Sequence, residues 1–253
     1  MADKLTSPPL FYEDHAAQVF YEEGTADYLV ITFSEMTMTA DGRRFWGQGP
    51  LQRLGIPALG FVHKRRRWFA DEFMQKALAA ALTKVGAYDR RVTYGFSMGG
   101  YGAIRHAAIL GACTAVACSP QWTIEPARLV GVSQPFAENF REDKHVGMEL
   151  TSFTPGGKLY LLYDPHNRHD AWHAARIRDH ISATVLIEMP FVGHTSVRPF
   201  SRTPMMATLI EAARSHDDEL VWRVARHARR TYPQRGELAR QLRRAAMASR
   251  VSL

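Results

Sequence analysis

Ser97 is the residue of this chain most plainly placed for covalent chemistry. It stands in Gly95-Phe96-Ser97-Met98-Gly99-Gly100-Tyr101-Gly102, a G-x-S-x-G pattern between the run Arg91–Phe96 and a stretch of small residues. A serine nucleophile at a strand-to-helix turn needs a bend sharp enough to lift its hydroxyl above the sheet edge. Gly95 and Gly99 remove the β-carbons that would collide in such a bend. Gly100, Gly102 and Ala103 let the helix lie close against neighbouring strands, and its positive end faces the place where an oxyanion would develop. The same letters also occur in a glycine-rich turn with an ordinary serine, so the flanking elements decide between the two. Histidine is the other reactive type found in a cluster, at His166, His169 and His173 in PHNRHDAWH. That cluster lacks cysteines and a coherent ligand spacing, so neither a metal site nor a cofactor is expected.

Elements that would position Ser97 can be read on both sides of it. Tyr28–Phe33, Ile56–His63, Arg91–Phe96, Ala112–Cys118, Leu159–Tyr163 and Thr184–Met189 are apolar runs of strand length. Between them, helical spacing recurs over Phe69–Val85, Met98–Leu110 and Ala171–Ile181. This alternation predicts an α/β fold with a mostly parallel central sheet flanked by helices. Ser119–Gly157 is too long and too proline-rich for an ordinary connection and is expected to be an insertion that roofs the site. Its Trp122, Phe136 and Phe140 are candidates for an apolar wall, with Trp68 and Phe69 approaching from the other side of the KRRR run. Residues 1–215 form the expected domain, and residues 216–253 a basic helical C-terminal extension with helices near 217–230 and 236–249.

Composition narrows the class. The 253 residues are 46% hydrophobic and 23% charged, which excludes collagen-like and largely disordered chains. No run of apolar residues is long enough to span a bilayer, the beginning of the chain lacks a secretory pattern, and the two cysteines are placed on opposite faces of one strand. A cytoplasmic protein is the resulting expectation. The net charge of +7 is concentrated in residues 204–253, which carry ten Arg and no Lys against five acids. Arginine without lysine suits a docked anionic partner. Nucleic acid is disfavoured, because no interleaved aromatics or recognisable binding motif accompany the arginines.

In order as well as in motif, residues 25–215 resemble the α/β-hydrolase superfamily, with serine esterases and thioesterases as its nearest chemistry. The resemblance implies a serine, an acid and a histidine in that chain order, each after a strand. Here these are Ser97, then Asp170 or Asp164 after LYLLY, then His194 in Pro190-Phe-Val-Gly-His194. Asp170 is preferred because its distance from the strand leaves a loop that can reach back to His194; its structural reading is a helix N-cap. Asp164 directly precedes Pro165 and reads otherwise as a brace for that turn. The family's short Gly-x-x-Asp spacing is absent. The resemblance further implies an oxyanion hole from the backbone amide of Met98 and one from the Phe33–Met36 loop, where Ser34 is preferred and Glu35 is next. Glu35 and Trp122 are the expected substrate contacts. The implied activity is hydrolysis of a carboxylic ester or thioester through an acyl-enzyme. A transacylase acting on an acylated saccharide or thiol would use the same residues, and an inactive scaffold would keep only the fold.

Overall fold

The computed structural model describes residues 7–145 and 147–232. Eight strands form one sheet in the order β1-β2-β4-β3-β5-β6-β7-β8. They are β1 Leu10–Glu13, β2 Ala17–Glu22, β3 Tyr28–Phe33, β4 Ala58–His63, β5 Arg90–Phe96, β6 Thr114–Cys118, β7 Lys158–Tyr163 and β8 Thr184–Glu188. From β4 through β8 all neighbours are parallel, whereas β1 pairs antiparallel with β2, and β2 with β4. The helices are α1 Gln48–Arg53, α2 Asp71–Val85, α3 Met98–Arg105, α4 Glu142–His145, α5 Arg168–His180, α6 Thr203–Arg214 and α7 Asp218–Thr231.

Period-two alternation sends side chains of each strand into one of two apolar layers. Leu29, Ile31 and Phe33 pack with Met74, Ala77 and Leu78 of α2, Ala103 and Ile104 of α3, and Ala174 and Ile177 of α5. Tyr28 and Val30 instead join Leu51 of α1, Leu209 and Ile210 of α6, and Val221 and Ala225 of α7. Ends of elements differ from the sequence reading for identifiable reasons. Trp68 and Phe69 adopt left-handed φ values of 51° and 48°, so α2 begins only at Asp71. The β1–β2 hairpin, unforeseen in the sequence, turns where Asp14 Oδ1 accepts the N–H groups of Ala16 and Ala17.

A boundary at residues 215/216 runs through a single packed layer. Val221, Val224, Ala225 and Ala228 of α7 are buried in the same core as Val30 and Val116, and Lys158 and Tyr160 of β7 both donate to Asp218 Oδ1. Amphipathic burial of this kind makes α7 part of the domain rather than an appendage. The second helix expected near 236–249, and five of the ten arginines proposed for an anionic partner, lie outside the described residues. No helix among the described residues is long and apolar enough to cross a membrane.

Candidate active site

At the carboxyl edge of the sheet, β5 runs into α3 through Ser97, whose φ of 52° and ψ of −121° are forced on a residue that bears a side chain. Such a conformation costs on the order of 1–3 kcal/mol and persists only where its surroundings impose it. Three contacts do so. The Ser97 N–H donates to Cys118 O of β6 at 2.8 Å. A β-carbon on Gly95 would lie 2.1 Å from Gly99 O, and one on Gly99 would lie 2.2 Å from Phe33 O. The two glycines of the pattern thus permit, respectively, the bend itself and the seating of α3 against the end of β3. Strain recurs along this edge, since Ser119 after β6 and Phe191 after β8 also have positive φ.

The turn brings Ser97 Oγ to 3.0 Å from His194 Nε2. His194 Nδ1 lies 2.9 Å and 3.0 Å from the two carboxylate oxygens of Asp170. Ser97, His194 and Asp170 therefore form one continuous hydrogen-bonded set, although they come from the β5–α3 turn, the loop after β8 and the first turn of α5. Ser97 is only 5% exposed, Asp170 is buried, and the His194 side chain keeps 32% of its surface open. Burial acts to raise the pKa of Asp170, but hydrogen bonds from His169 and His194 outweigh it, leaving the carboxyl below its ordinary value.

Asp164 has a different job. Its Oδ1 accepts the His166 N–H at 2.9 Å and its Oδ2 accepts the Gly193 N–H at 2.7 Å. Gly193, left-handed at φ 68°, directly precedes His194, so Asp164 holds the loop that carries His194. The N-cap role anticipated for Asp170 belongs to Asn167, whose side chain accepts the Asp170 N–H. α5 consequently starts at Arg168 and places Asp170 inside its positive first turn, with both carboxylate oxygens turned to imidazoles.

Around the expected oxyanion site, Ser34 must be corrected. Its N–H donates to Phe61 O at 2.9 Å, a continuation of the β3–β4 pairing, and its Oγ accepts the His63 N–H at 3.2 Å. A committed amide cannot also bind an oxyanion. Met98 occupies the first position of α3, where an N–H has no partner within the helix, and Glu35 is the next amide after Ser34. The Glu35 carboxylate accepts the N–H and hydroxyl of Thr37, closing its own loop. It is thus occupied locally rather than aimed at a substrate.

The wall residues separate in the same way. Phe136, at the start of a short turn in the insertion, lies against the rings of His194, His169 and Trp68 with centroids 6.3, 5.7 and 5.0 Å away. Trp122 does not belong to this group. Its indole donates to Leu150 O at 3.1 Å and packs on Trp172 and His180, toward the far end of α5, so its ring anchors the insertion. Phe140 packs on His145 and Phe69 on Phe33. His169, which the sequence offered only as part of a histidine cluster, is in direct contact with Asp170; the signal that could have found it was its adjacency to the preferred acid. Among the described residues no group of three or more His, Cys, Asp or Glu side chains is arranged to hold a metal ion.

No protein-family model matches the sequence, and no curated protein matches it. Solved structures do. The capsule O-acetyltransferase of Neisseria meningitidis serogroup A is 13% identical over 83% of this chain and 93% of its own, with a TM-score of 0.51. A monoacylglycerol lipase of Paleococcus ferrophilus is 16% identical over 79% of this chain and 99% of its own, with a TM-score of 0.52. A Staphylococcus aureus protein of unknown function is 11% identical over 83% of this chain and 96% of its own, with a TM-score of 0.54. Identities this low speak to architecture alone, and they agree with the sheet order and the strained strand-to-helix turn: the chain has the α/β-hydrolase fold.

Proposed function

We propose that this protein is a serine hydrolase that cleaves a carboxylic ester or thioester through an acyl-enzyme on Ser97. The observation that carries the reading is the unbroken chain Ser97 Oγ to His194 Nε2 to His194 Nδ1 to Asp170, at 3.0 and 2.9 Å. Because His194 Nδ1 faces a carboxylate, that nitrogen bears the proton and Nε2 is left as the acceptor a base requires. As the Ser97 oxygen bonds to the substrate carbonyl carbon, its proton passes to His194 Nε2, and Asp170 stabilises the imidazolium. Negative charge developing on the carbonyl oxygen faces the amides of Met98 and Glu35 at the amino end of α3, where pre-aligned donors contribute several kcal/mol. Collapse expels the alcohol or thiol, which takes the proton from His194. Water then gives a proton to the same nitrogen and attacks the acyl carbon; as the bond to Ser97 Oγ breaks, His194 returns that proton to Ser97 and the acid leaves. Phe136, which lies against His194 and is backed by the fully buried Trp68, offers an apolar surface that suits an uncharged acyl group.

Two proteins of this fold are named a monoacylglycerol lipase and an O-acetyltransferase, so water and a sugar hydroxyl are both reasonable acyl acceptors. A fluorophosphonate probe tests the central claim. Wild type should be labelled stoichiometrically and a folded Ser97→Ala protein should not be; equal labelling of both, or of neither, would remove the proposal. With p-nitrophenyl esters, adding a polyol then separates the acceptors. Hydrolysis predicts free acid as the only acyl product, and transfer predicts an acylated polyol.

A further inference from the structure

We infer that His169 is a positioning residue for Asp170, the inner link of a hydrogen-bonded chain running from the Trp122 amide through His173 and His169 to the carboxylate that holds His194. The inference rests on the proposed roles of Ser97, His194 and Asp170, and it deepens them. Three bonds carry it. The Trp122 N–H donates to His173 Nδ1 at 3.1 Å. His173 must then bear its proton on Nε2, which donates to His169 Nε2 at 3.1 Å. His169 in turn bears its proton on Nδ1 and donates to Asp170 Oδ1 at 3.3 Å. One backbone amide thus fixes the tautomer of two rings in succession. A proton added to His169 would set N–H against N–H, so the chain exists only with both rings neutral.

Burial supports this state. His173 is fully buried, and desolvation, followed by the neighbouring His169, pushes its pKa down to about 3. The His169 side chain is 11% exposed and is covered by the Phe136 ring. The titratable groups that face Asp170 are His169 from its own helix and His194 from the loop after β8, with His173 behind His169. Asp164, the other carboxylate at this end of β7, is turned to the amides of His166 and Gly193. The Trp172 ring packs edge-on against His173, with centroids 5.1 Å apart, and brings no titratable group to it.

The consequence is electrostatic. A second donor on Oδ1 stops the carboxylate from rotating away from His194 and draws off part of its negative charge. Asp170 is thereby held against His194 Nδ1, which keeps His194 Nε2 turned to Ser97 Oγ. Helical spacing makes the arrangement available, since His169 and His173 are four positions apart on one face of α5.

Side-chain 15N NMR of the histidines in the full chain tests the link without requiring activity. Wild type should show His173 protonated on Nε2 and His169 on Nδ1. In His169→Ala the downfield proton resonance of the His194 Nδ1–H bonded to Asp170 should broaden or vanish, because the carboxylate has lost the donor that fixes it. In His169→Asn, whose amide N–H occupies the place of Nδ1–H, that resonance should return. A residue that merely braced α5 would lower the melting temperature and leave the resonance as in wild type. An unchanged resonance in His169→Ala, or a His173 proton on Nδ1, would overturn the link. If the resonance responds as stated while wild type resists fluorophosphonate labelling, the link stands and the hydrolase assignment falls.

Discussion

The two halves of the candidate site are held by different forces. On the Ser97 side the constraint lies in the backbone: a left-handed residue, an N–H fixed on Cys118 O, and two glycines with no room for a β-carbon. The His194 side is held by side chains. Asp170 from α5 and Asp164 from the end of β7 each reach a different atom of the loop after β8. Steric constraint tolerates a change of charge but not of volume, whereas electrostatic constraint has the opposite tolerance. Each half should therefore fail to its own kind of substitution.

The largest expected effect is that of Asp170→Asn, which keeps volume and removes charge. Losing the partner that orients the base and stabilises its charged form costs about ten-thousandfold in turnover, or about 5.5 kcal/mol. The variant should melt near wild type and still bind substrate, as kcat and KM on p-nitrophenyl acetate will show. A loss below about tenfold would mean that the His194–Asp170 contact is not catalytic. Next comes Gly99→Ala, which changes volume and no charge. With Phe33 O only 2.2 Å from the new carbon, α3 must lift off β3, at a cost of about 3 kcal/mol or more in stability. Urea denaturation would measure it, and a variant as stable as wild type would show that the turn is softer than its geometry implies.

Asp164→Asn sharpens the contrast between two carboxylates only six positions apart. An amide side chain has one acceptor oxygen, so it can keep the His166 or the Gly193 bond but not both. The expected loss is about 1–3 kcal/mol of stability together with about a ten- to hundredfold fall in kcat/KM, because the loop carrying His194 loosens. A ten-thousandfold fall would reverse the assignment of brace and acid.

That contrast also explains what could be read from the chain. Gly95, Ser97 and Gly99 were legible because their reasons are local: each glycine makes way for backbone within a few residues or for the adjoining strand. Strands β3 to β8 were legible as apolar runs, because both faces of a parallel sheet are covered. The β1–β2 hairpin was missed because β1 is partly exposed at the sheet edge, and the buried run of β2 is broken by polar Gln18. Asp170 could be preferred to Asp164 only on loop length, since what distinguishes them is Gly193 and Asn167, partners set by tertiary position and by helix start. Ser34 misled for a related reason: adjacency in sequence says nothing about whether an amide is already engaged by Phe61. Trp122 was misplaced because a large aromatic in a long loop fits a wall and an anchor equally well until its indole partner, Leu150, is known.

A smaller effect separates the halves by pH. Asp170 is buried, yet its donors hold its carboxyl below the ordinary value, so folding favours its ionised form. For a group depressed in this direction, the stabilisation is fully present above the unfolded pKa of about 4 and is lost as pH falls through the lower folded value. Asn at position 170 has no such dependence. The difference in urea midpoint between wild type and Asp170→Asn should therefore be steady from pH 7 to 5 and shift against wild type as pH drops below about 4. Gly99→Ala alters no ionisable group, so its destabilisation should stay parallel to wild type over the same range. If the two variants tracked each other through acid, the division between an electrostatic half and a steric half would be wrong, because Asp170 would then be held by its packing and not by its charge.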